Sequence, residues 1–180
     1  PEPTSVTDFN DDPIQGRTQG YQFYTMDKLG WSHDKLLNVG HSGSIVGVAN
    51  DFPKTTPYDI YTVEFGVNDW GTGHPVGTIA DYRNYLYNDK AVRWHLFASC
   101  YRNVIETIRA ANPDAIIVLT TPRKGYGFGT YLPDRCDKQQ TNGGYFLKDY
   151  ADIVRAIAAY EKFPLADFYS TCGEQEELAS

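Results

Sequence analysis

The residues of this chain that are best suited to bind a ligand follow an apolar run near its middle. Residues 66–69 read Gly-Val-Asn-Asp and come directly after residues 58–65, which are rich in β-branched and aromatic side chains. Such a run predicts a buried strand. Polar residues at its end would lie at the carboxyl edge of a sheet, where open α/β proteins keep their sites. An ordinary turn is the alternative, because Gly, Asn and Asp are the commonest turn residues.

The elements after this motif alternate as an α/β sheet requires. Amphipathic helices are predicted over residues 95–112 and 146–162. Residues 115–120 form an unbroken apolar run, typical of a strand that is buried on both faces, and residues 164–169 predict a last short strand. Strands and helices in this order favour a doubly wound, mainly parallel sheet with right-handed crossovers.

The segments between and before these elements are mostly loops. A helix is predicted over residues 20–29, with Gly30 as its C-cap, and a short strand over residues 36–39. A turn rich in glycine, residues 40–44, follows that strand. Residues 121–145 form a long loop rich in Gly, Pro and charge, and loops of this length are often functional. Its aromatic side chains could line an acyl or sugar site, although packing of the loop on the body of the protein is favoured: Tyr126, Phe128, Tyr131 and Tyr145.

Length and composition limit the class of protein. The chain has 180 residues, enough for one domain with a sizeable core, and its net charge is −7. A nucleic-acid partner is not expected, because phosphate binding requires a basic surface. The 14 tyrosines suit either sugar contacts or an ordinary core with polar tips, and we favour the core. No apolar run reaches membrane-spanning length, so no membrane span is expected.

Two motifs in the correct order resemble those of the SGNH hydrolase family, the GDSL-type esterases and lipases. The family's third block, Gly-x-Asn-Asp, stands at residues 66–69, and its second block, Asn-x-Gly-x-x-Gly, stands at residues 38–43. The first block, Gly-Asp-Ser followed by Ile or Val and Thr, is present only in part, at residues 3–8. The resemblance covers nearly the whole chain.

The resemblance implies a role for three residues in ester hydrolysis. Ser5 would be the nucleophile, and its N–H, the Gly43 N–H and the Asn68 side-chain amide would form the oxyanion hole. Because glycine has no Cβ, the backbone at Gly43 can approach a substrate closely. The turn at residues 40–44 also resembles a G-x-S-x-G nucleophile elbow, but Ser44 replaces the second Gly and the oxyanion turn fits better.

The chain departs from the family pattern at both ends. Pro3 and Thr4 stand where the family has Gly and Asp, and no Asp-x-x-His block, which would supply the base, follows the last strand. The strand that the family places before its serine is missing as well, although buried backbone groups need partners. We therefore expect a chain that is incomplete at both ends, or a sheet position filled by another segment.

For none of the four histidines is a role as replacement base the favoured interpretation. His74 lies just past Asn68, but at the wrong place in the chain, and a loop histidine that lines the substrate or is merely exposed is the favoured alternative. For His41 the backbone is expected to matter more than the ring, and His33 and His95 are expected to face solvent. Asp69 is expected to be structural, accepting backbone N–H bonds that hold the loop.

The sequence thus predicts an α/β fold, a three-layer α/β/α sandwich of SGNH (flavodoxin-like) type, as a single domain over residues 1–180. The predicted function is hydrolysis of carboxylic esters through an acyl-serine intermediate. The substrate would be a small-molecule or carbohydrate ester, with deacylation of carbohydrates favoured over lipid hydrolysis. The alternative is a catalytically inactive module of the same fold. A flavin or nucleotide binder would require a phosphate loop after its first strand, and the sequence contains none.

Hydrolysis through an acyl-serine intermediate requires no metal or organic cofactor, and none is expected. The three cysteines are far apart and indicate neither a CxxC metal site nor a disulfide framework. They neither require nor exclude an oxidising compartment, and a secreted or cell-surface location is slightly favoured over the cytoplasm. The oligomeric state is left open.

Overall fold

The computed structural model describes residues 21–32, 35–38, 40, 43–47, 57–85, 96–123 and 143–171. Its contacts divide the chain into two compact units, residues 1–43 and residues 44–180, which are described separately. The expectation of a single domain over residues 1–180 remains a prediction.

The first unit contains helix α1, Tyr21–Leu29. This helix and its C-cap confirm the prediction, since the N–H of Gly30 bonds to Asp27 O and that of Trp31 to Met26 O. Met26 is buried, whereas Leu29 is exposed. The apolar side chains of this helix are therefore only partly covered.

The strand predicted over residues 36–39 is wrong for the residues that are described there. Residues 36–38 have no strand structure, and Val39 lies outside the described residues. The Asn38 side-chain oxygen accepts a hydrogen bond of 3.0 Å from the N–H of Gly40. This local bond turns the backbone at the place where a strand would continue.

The second unit is built on a parallel sheet with the order β1-β2-β3. Its strands are β1 Ile60–Glu64, β2 Ile116–Thr120 and β3 Leu165–Ala166. Residue 60 pairs with residue 116, 64 with 120, and 119 with 165. The three strands and their parallel arrangement confirm the predicted α/β fold.

In the part of the second unit that the structure describes, five helices accompany this sheet: α2 Val67–Thr72, α3 Ile79–Asn84, α4 Phe97–Ala111, α5 Leu147–Glu161 and α6 Phe168–Thr171. The two long helices, α4 and α5, confirm the amphipathic patterns in the sequence. The short helix α3 was not predicted. Its N-terminus is fixed by a capping box, in which Thr78 N donates to Asp81 Oδ2 at 2.7 Å and Asp81 N donates to Thr78 Oγ1 at 3.3 Å.

The core lies between one face of the sheet and helices α3, α4 and α5. Val63, Ile117 and Leu119 share that face and belong to the buried cluster formed with these helices. Connections of one hand between sequential strands bring α4 and α5 to the same face. Ile60 and Ile116, on the opposite face, are 40% and 52% exposed. Thr120, on the same face as Ile116, is 1% exposed, so β2 is buried on both faces only toward its carboxyl end. In β1 only Val63 is buried, so the expectation of buried strands is met in part.

Aromatic rings fill the centre of this core. Phe97 lies 5.0 Å from Tyr101 and 5.1 Å from Tyr150 between ring centroids, with tilted and edge-on geometry. Each such pair contributes about 0.5–1.5 kcal/mol beyond the burial of its surface. Tyr82, Tyr101 and Tyr150 are fully buried, so these three tyrosines belong to the core, as the sequence analysis favoured.

Glu161, whose side chain is 8% exposed, joins three helices at the end of α5. Glu161 accepts hydrogen bonds from Tyr82 Oη at 2.7 Å, Arg102 Nη1 at 3.1 Å and Arg109 Nη2 at 2.6 Å. Burial alone would raise the pKa of Glu161, but the bonds from Tyr82 and Arg109 and the two arginine charges lower it. The carboxylate is thus held ionised where α3, α4 and α5 meet.

None of the helices in the described part of the chain combines the length and hydrophobicity that crossing a bilayer requires.

We expect Glu161→Gln to lower the free energy of unfolding by about 2–3 kcal/mol, because it keeps the shape but removes the charge that three donors share. Urea unfolding followed by circular dichroism measures this change. Lys148→Ala is the matched control on the same helix, because its ion pair with Asp152 is largely exposed. The control should cost less than about 0.5 kcal/mol. Equal losses in the two variants would contradict the role of Glu161.

Candidate active site

The Gly-Val-Asn-Asp motif begins a helix at the carboxyl end of β1. Gly66 is the N-cap of α2, with φ 128° and ψ −32°, a conformation that side chains rarely adopt. A Cβ at this position would lie 2.9 Å from Cγ of Pro122, which follows β2. Glycine is therefore required twice, by its backbone angle and by the close approach of the neighbouring strand's end. The plain-turn alternative is wrong, since residues 67–72 are helical.

Asp69 connects three segments of this region through hydrogen bonds to its buried side chain. Its side chain is fully buried and accepts hydrogen bonds of 3.1 Å from the N–H groups of both Val46 and Gly66. A third partner is His74, whose Nδ1 lies 2.8 Å from Asp69 Oδ1. The predicted structural role of Asp69, accepting backbone N–H bonds, is confirmed.

Asn68 is the second residue of α2 and is half-buried. Its Nδ2 donates a hydrogen bond of 3.0 Å to the backbone oxygen of Ser44. A side-chain amide nitrogen carries two hydrogens, and this bond uses one of them. The bond fixes the plane of the Asn68 amide relative to Ser44, the residue that follows Gly43 in the sequence.

Gly43 and Asn68 belong to different units of the chain. Gly43 belongs to the first unit, is exposed and has φ 81°, and no described atom lies within 4 Å of a Cβ built on it. Its backbone angle, and not crowding, is what favours glycine there. Ser5 lies outside the described residues. The convergence of Ser5, Gly43 and Asn68 on one oxyanion therefore remains a prediction.

His74 is buried, which corrects the view that it could be merely an exposed loop residue. It is 8% exposed, and its ring meets Phe97 edge-on at 6.4 Å between centroids. An ionised carboxylate only accepts hydrogen bonds, so the bond to Asp69 requires the hydrogen on Nδ1. His33, His41 and His95 lie outside the described residues.

The long loop is described only at its two ends, residues 121–123 and 143–145. Tyr126, Phe128 and Tyr131, considered as substrate-lining residues in the sequence, lie outside the described residues. Tyr145 is half-buried and meets Tyr150 edge-on, with 6.2 Å between ring centroids. Packing on the body of the protein, the favoured alternative, is thus supported for Tyr145.

Cys100 lies on α4 and does not supply a nucleophile. Burial, together with the nearby charge of Asp69, raises the pKa of its thiol to about 12. A thiol with this pKa stays protonated near neutral pH and is a poor nucleophile. Among the residues that the structure describes, no group of three or more His, Cys, Asp or Glu side chains could hold a metal ion.

Sequence analysis missed a polar cluster at the same edge of the sheet. Asp167 follows β3 directly and accepts hydrogen bonds from Thr121 Oγ1 at 2.9 Å, and from Arg155 Nε at 3.1 Å and Nη2 at 2.8 Å. Arg155 holds the pKa of Asp167 at about 2, against an ordinary value of 3.8. The signal in the sequence was an acidic residue at the end of a strand, which we assigned to the strand itself.

The depressed pKa of Asp167 predicts a pH-dependent contribution to stability. A carboxyl whose pKa is lower in the folded state stabilises the protein above its unfolded pKa and loses this effect as the pH falls toward the folded pKa. We expect Asp167→Asn to cost about 1–2 kcal/mol near pH 6, with the difference from wild type shrinking between about pH 4 and pH 2. Asp114→Asn, on an exposed turn, is the control. A cost that stays constant down to pH 2 would contradict the assignment.

Solved structures of other proteins resemble this chain. A possible lipase from Chitinophaga pinensis DSM 2588 has a similar structure, with a TM-score of 0.67 and 30% identity over 85% of this chain and 59% of that one. A protein from Lactobacillus plantarum shares the fold at 18% identity, with a TM-score of 0.60 over 93% of this chain and 76% of that one. No curated protein matches the chain.

The chain therefore spans about three fifths of the Chitinophaga protein. The sequence also matches the model of the GDSL-like lipase/acylhydrolase family over residues 5–180, which is nearly its whole length. This match confirms the resemblance inferred from the two motifs. The chain belongs to the GDSL-like lipase/acylhydrolase family.

Proposed function

We propose that this protein is a serine ester hydrolase that acts through an acyl-serine intermediate. The observation that carries the proposal is the Asn68 amide, which is fixed at the carboxyl end of β1 by its bond to Ser44 O. A fixed donor is what stabilisation of an oxyanion requires, because an amide that is already oriented does not have to reorganise during the reaction. Membership of an acylhydrolase family supports the same function.

In this mechanism the Ser5 hydroxyl attacks the carbonyl carbon of the ester. The carbonyl oxygen gains negative charge, which the N–H groups of Ser5 and Gly43 and the second amide hydrogen of Asn68 would stabilise. The alcohol leaves, and water then hydrolyses the acyl-serine. A general base must take the proton of the hydroxyl and pass it to the departing alcohol.

Carbohydrate esters are our narrower proposal for the substrate. The sequence Asn-Asp-Trp at residues 68–70, followed by a loop rich in Gly and Pro, and the many tyrosines favour this class. Tyr82, Tyr101 and Tyr150 are buried in the core, so contacts with a sugar would come from other tyrosines. The rival function is a catalytically inactive binding or structural module of the same fold.

Labelling with a fluorophosphonate distinguishes the enzyme from the inactive module. We expect wild-type protein to be labelled and Ser5→Ala to remain unlabelled, because the probe forms a covalent bond with an activated serine. Intact mass spectrometry measures the adduct. If the folded wild-type protein gains no mass, the inactive module is the correct assignment, and labelling that persists in Ser5→Ala would place the nucleophile elsewhere.

Asn68→Ala tests the oxyanion donor. We expect kcat on 4-nitrophenyl acetate to fall about 100- to 1,000-fold while KM changes little, because the amide acts mainly in the transition state. Asn84→Ala makes the same chemical change at the exposed end of α3 and should retain wild-type kinetics. A loss of less than about threefold in Asn68→Ala would remove Asn68 from the mechanism.

The substrate class is tested by comparing acyl acceptors and chain lengths. We expect acetate release from O-acetylated oligosaccharides, and a kcat/KM for 4-nitrophenyl acetate that exceeds that for the octanoate. Chromatographic detection of acetate and a colorimetric assay provide the two measurements. A clear preference for the octanoate, with no release of acetate from the sugars, would favour lipid esters instead.

A further inference from the structure

We propose that His74 is a positioning residue for this reaction. Its imidazole would hold the Asp69 carboxylate, and that carboxylate would in turn fix the backbone on both sides of the Asn68 amide. The proposal rests on the proposed function and deepens it, since neither the two family motifs nor the comparisons give His74 a role.

Three hydrogen-bond donors surround the Asp69 carboxylate in the described part of the chain. Oδ1 accepts from Val46 N at 3.1 Å and lies 2.8 Å from His74 Nδ1, while Oδ2 accepts from Gly66 N at 3.1 Å. Two of these donors are backbone groups that belong to the segments flanking the site. His74 is the one side chain among the three, and its bond is the shortest.

Asp69 and His74 are both buried. Asp69 has no exposed surface and His74 is 8% exposed, so water cannot readily replace a bond that is lost between them. A buried carboxylate is tolerated only when donors satisfy it. Removing the imidazole N–H would leave the two weaker backbone bonds to hold a charge that is closed off from solvent.

His74 is itself held in place by contacts with α2, α4 and α5. Its backbone N–H donates to Asp69 O at 2.9 Å, and its backbone oxygen accepts a hydrogen bond from the Tyr150 hydroxyl on α5. The ring lies edge-on against Phe97 of α4. The imidazole therefore links the motif at the end of β1 to the two long helices of the core.

The position of Asp69 affects the position of the Asn68 amide, the proposed oxyanion donor. Asp69 follows Asn68 in the same turn of α2, and Val46 lies two residues after Ser44, whose oxygen orients the Asn68 amide. A shift of the carboxylate would move both the helix start and the segment of residues 44–46. Displacing a catalytic donor by about 1 Å can reduce the rate about 100-fold.

A pair of substitutions separates positioning from direct proton transfer. The side-chain nitrogen of Asn occupies nearly the place of imidazole Nδ1, so His74→Asn keeps a donor for Asp69 but has no basic nitrogen. His74→Phe keeps a flat ring against Phe97 and has no donor. Should His74→Phe fail to fold, His74→Gln, whose nitrogen replaces Nε2 instead of Nδ1, takes its place.

The experiment measures kcat and KM on 4-nitrophenyl acetate, together with hydrogen exchange of the Val46 and Gly66 amides by NMR. For His74→Phe we expect a fall in kcat of about 10- to 100-fold, KM within about twofold of wild type, and exchange of both amides at least about tenfold faster. His74→Asn should stay close to wild type in all three. Tyr82→Phe, a buried change in the Glu161 cluster, controls for general destabilisation and should leave kcat unchanged.

The possible results decide between distinct accounts. Wild-type exchange and kcat in His74→Phe would overturn the proposal. An inactive His74→Asn whose two amides stay protected would overturn it in favour of His74 as the proton-transfer group. If the wild-type protein hydrolyses no ester and takes up no fluorophosphonate, the proposed function itself fails and the positioning role fails with it. An active wild type with an unaffected His74→Phe rejects the positioning role alone.

Discussion

The buried carboxylate of Asp69 is the constraint on which the rest of the site depends. It lies without exposed surface at the start of α2 and is satisfied by Val46, Gly66 and His74. Its burial is tolerated because each oxygen has a donor. The same bonds that satisfy the charge also fix the conformation around Asn68, so stability and the orientation of a polar amide have one physical cause.

Carboxylates that accept several hydrogen bonds lie at both ends of the strands. Glu161, at the end of α5, joins three helices where the chain returns to the amino end of β3. At the carboxyl end, Asp69 and Asp167 each fix the backbone or side chains that follow a strand. Ionised groups bound in this way hold loops in one conformation, which is what a site built on strand ends requires. The Gly66 backbone, pressed against Pro122, belongs to the same arrangement.

Regular hydrophobic patterns made most of the second unit predictable. Helices α4 and α5 were predicted because the helical spacing of their apolar residues indicates a buried face. Strand β2 was predicted from its unbroken apolar run. Helix α2 was not, since Gly, Asn and Asp favour turns and the helix is held by the bond of Asp69 to Val46, 23 residues away. Helix α3 had a local signal, Thr78 and Asp81 three residues apart, that was overlooked. The burial of His74 depends on rings from α4 and α5, which no local pattern in the sequence reports.

The central claim is that Ser5, Gly43 and Asn68 act on one reacting carbonyl. A crystal structure of the protein after reaction with a phosphonate ester tests it most directly, because the adduct imitates the tetrahedral intermediate. Our account predicts a bond from phosphorus to Ser5 Oγ, with one phosphonyl oxygen about 2.7–3.1 Å from both Gly43 N and Asn68 Nδ2. A phosphonyl oxygen that contacts neither nitrogen, or an adduct on a different residue, would contradict the account.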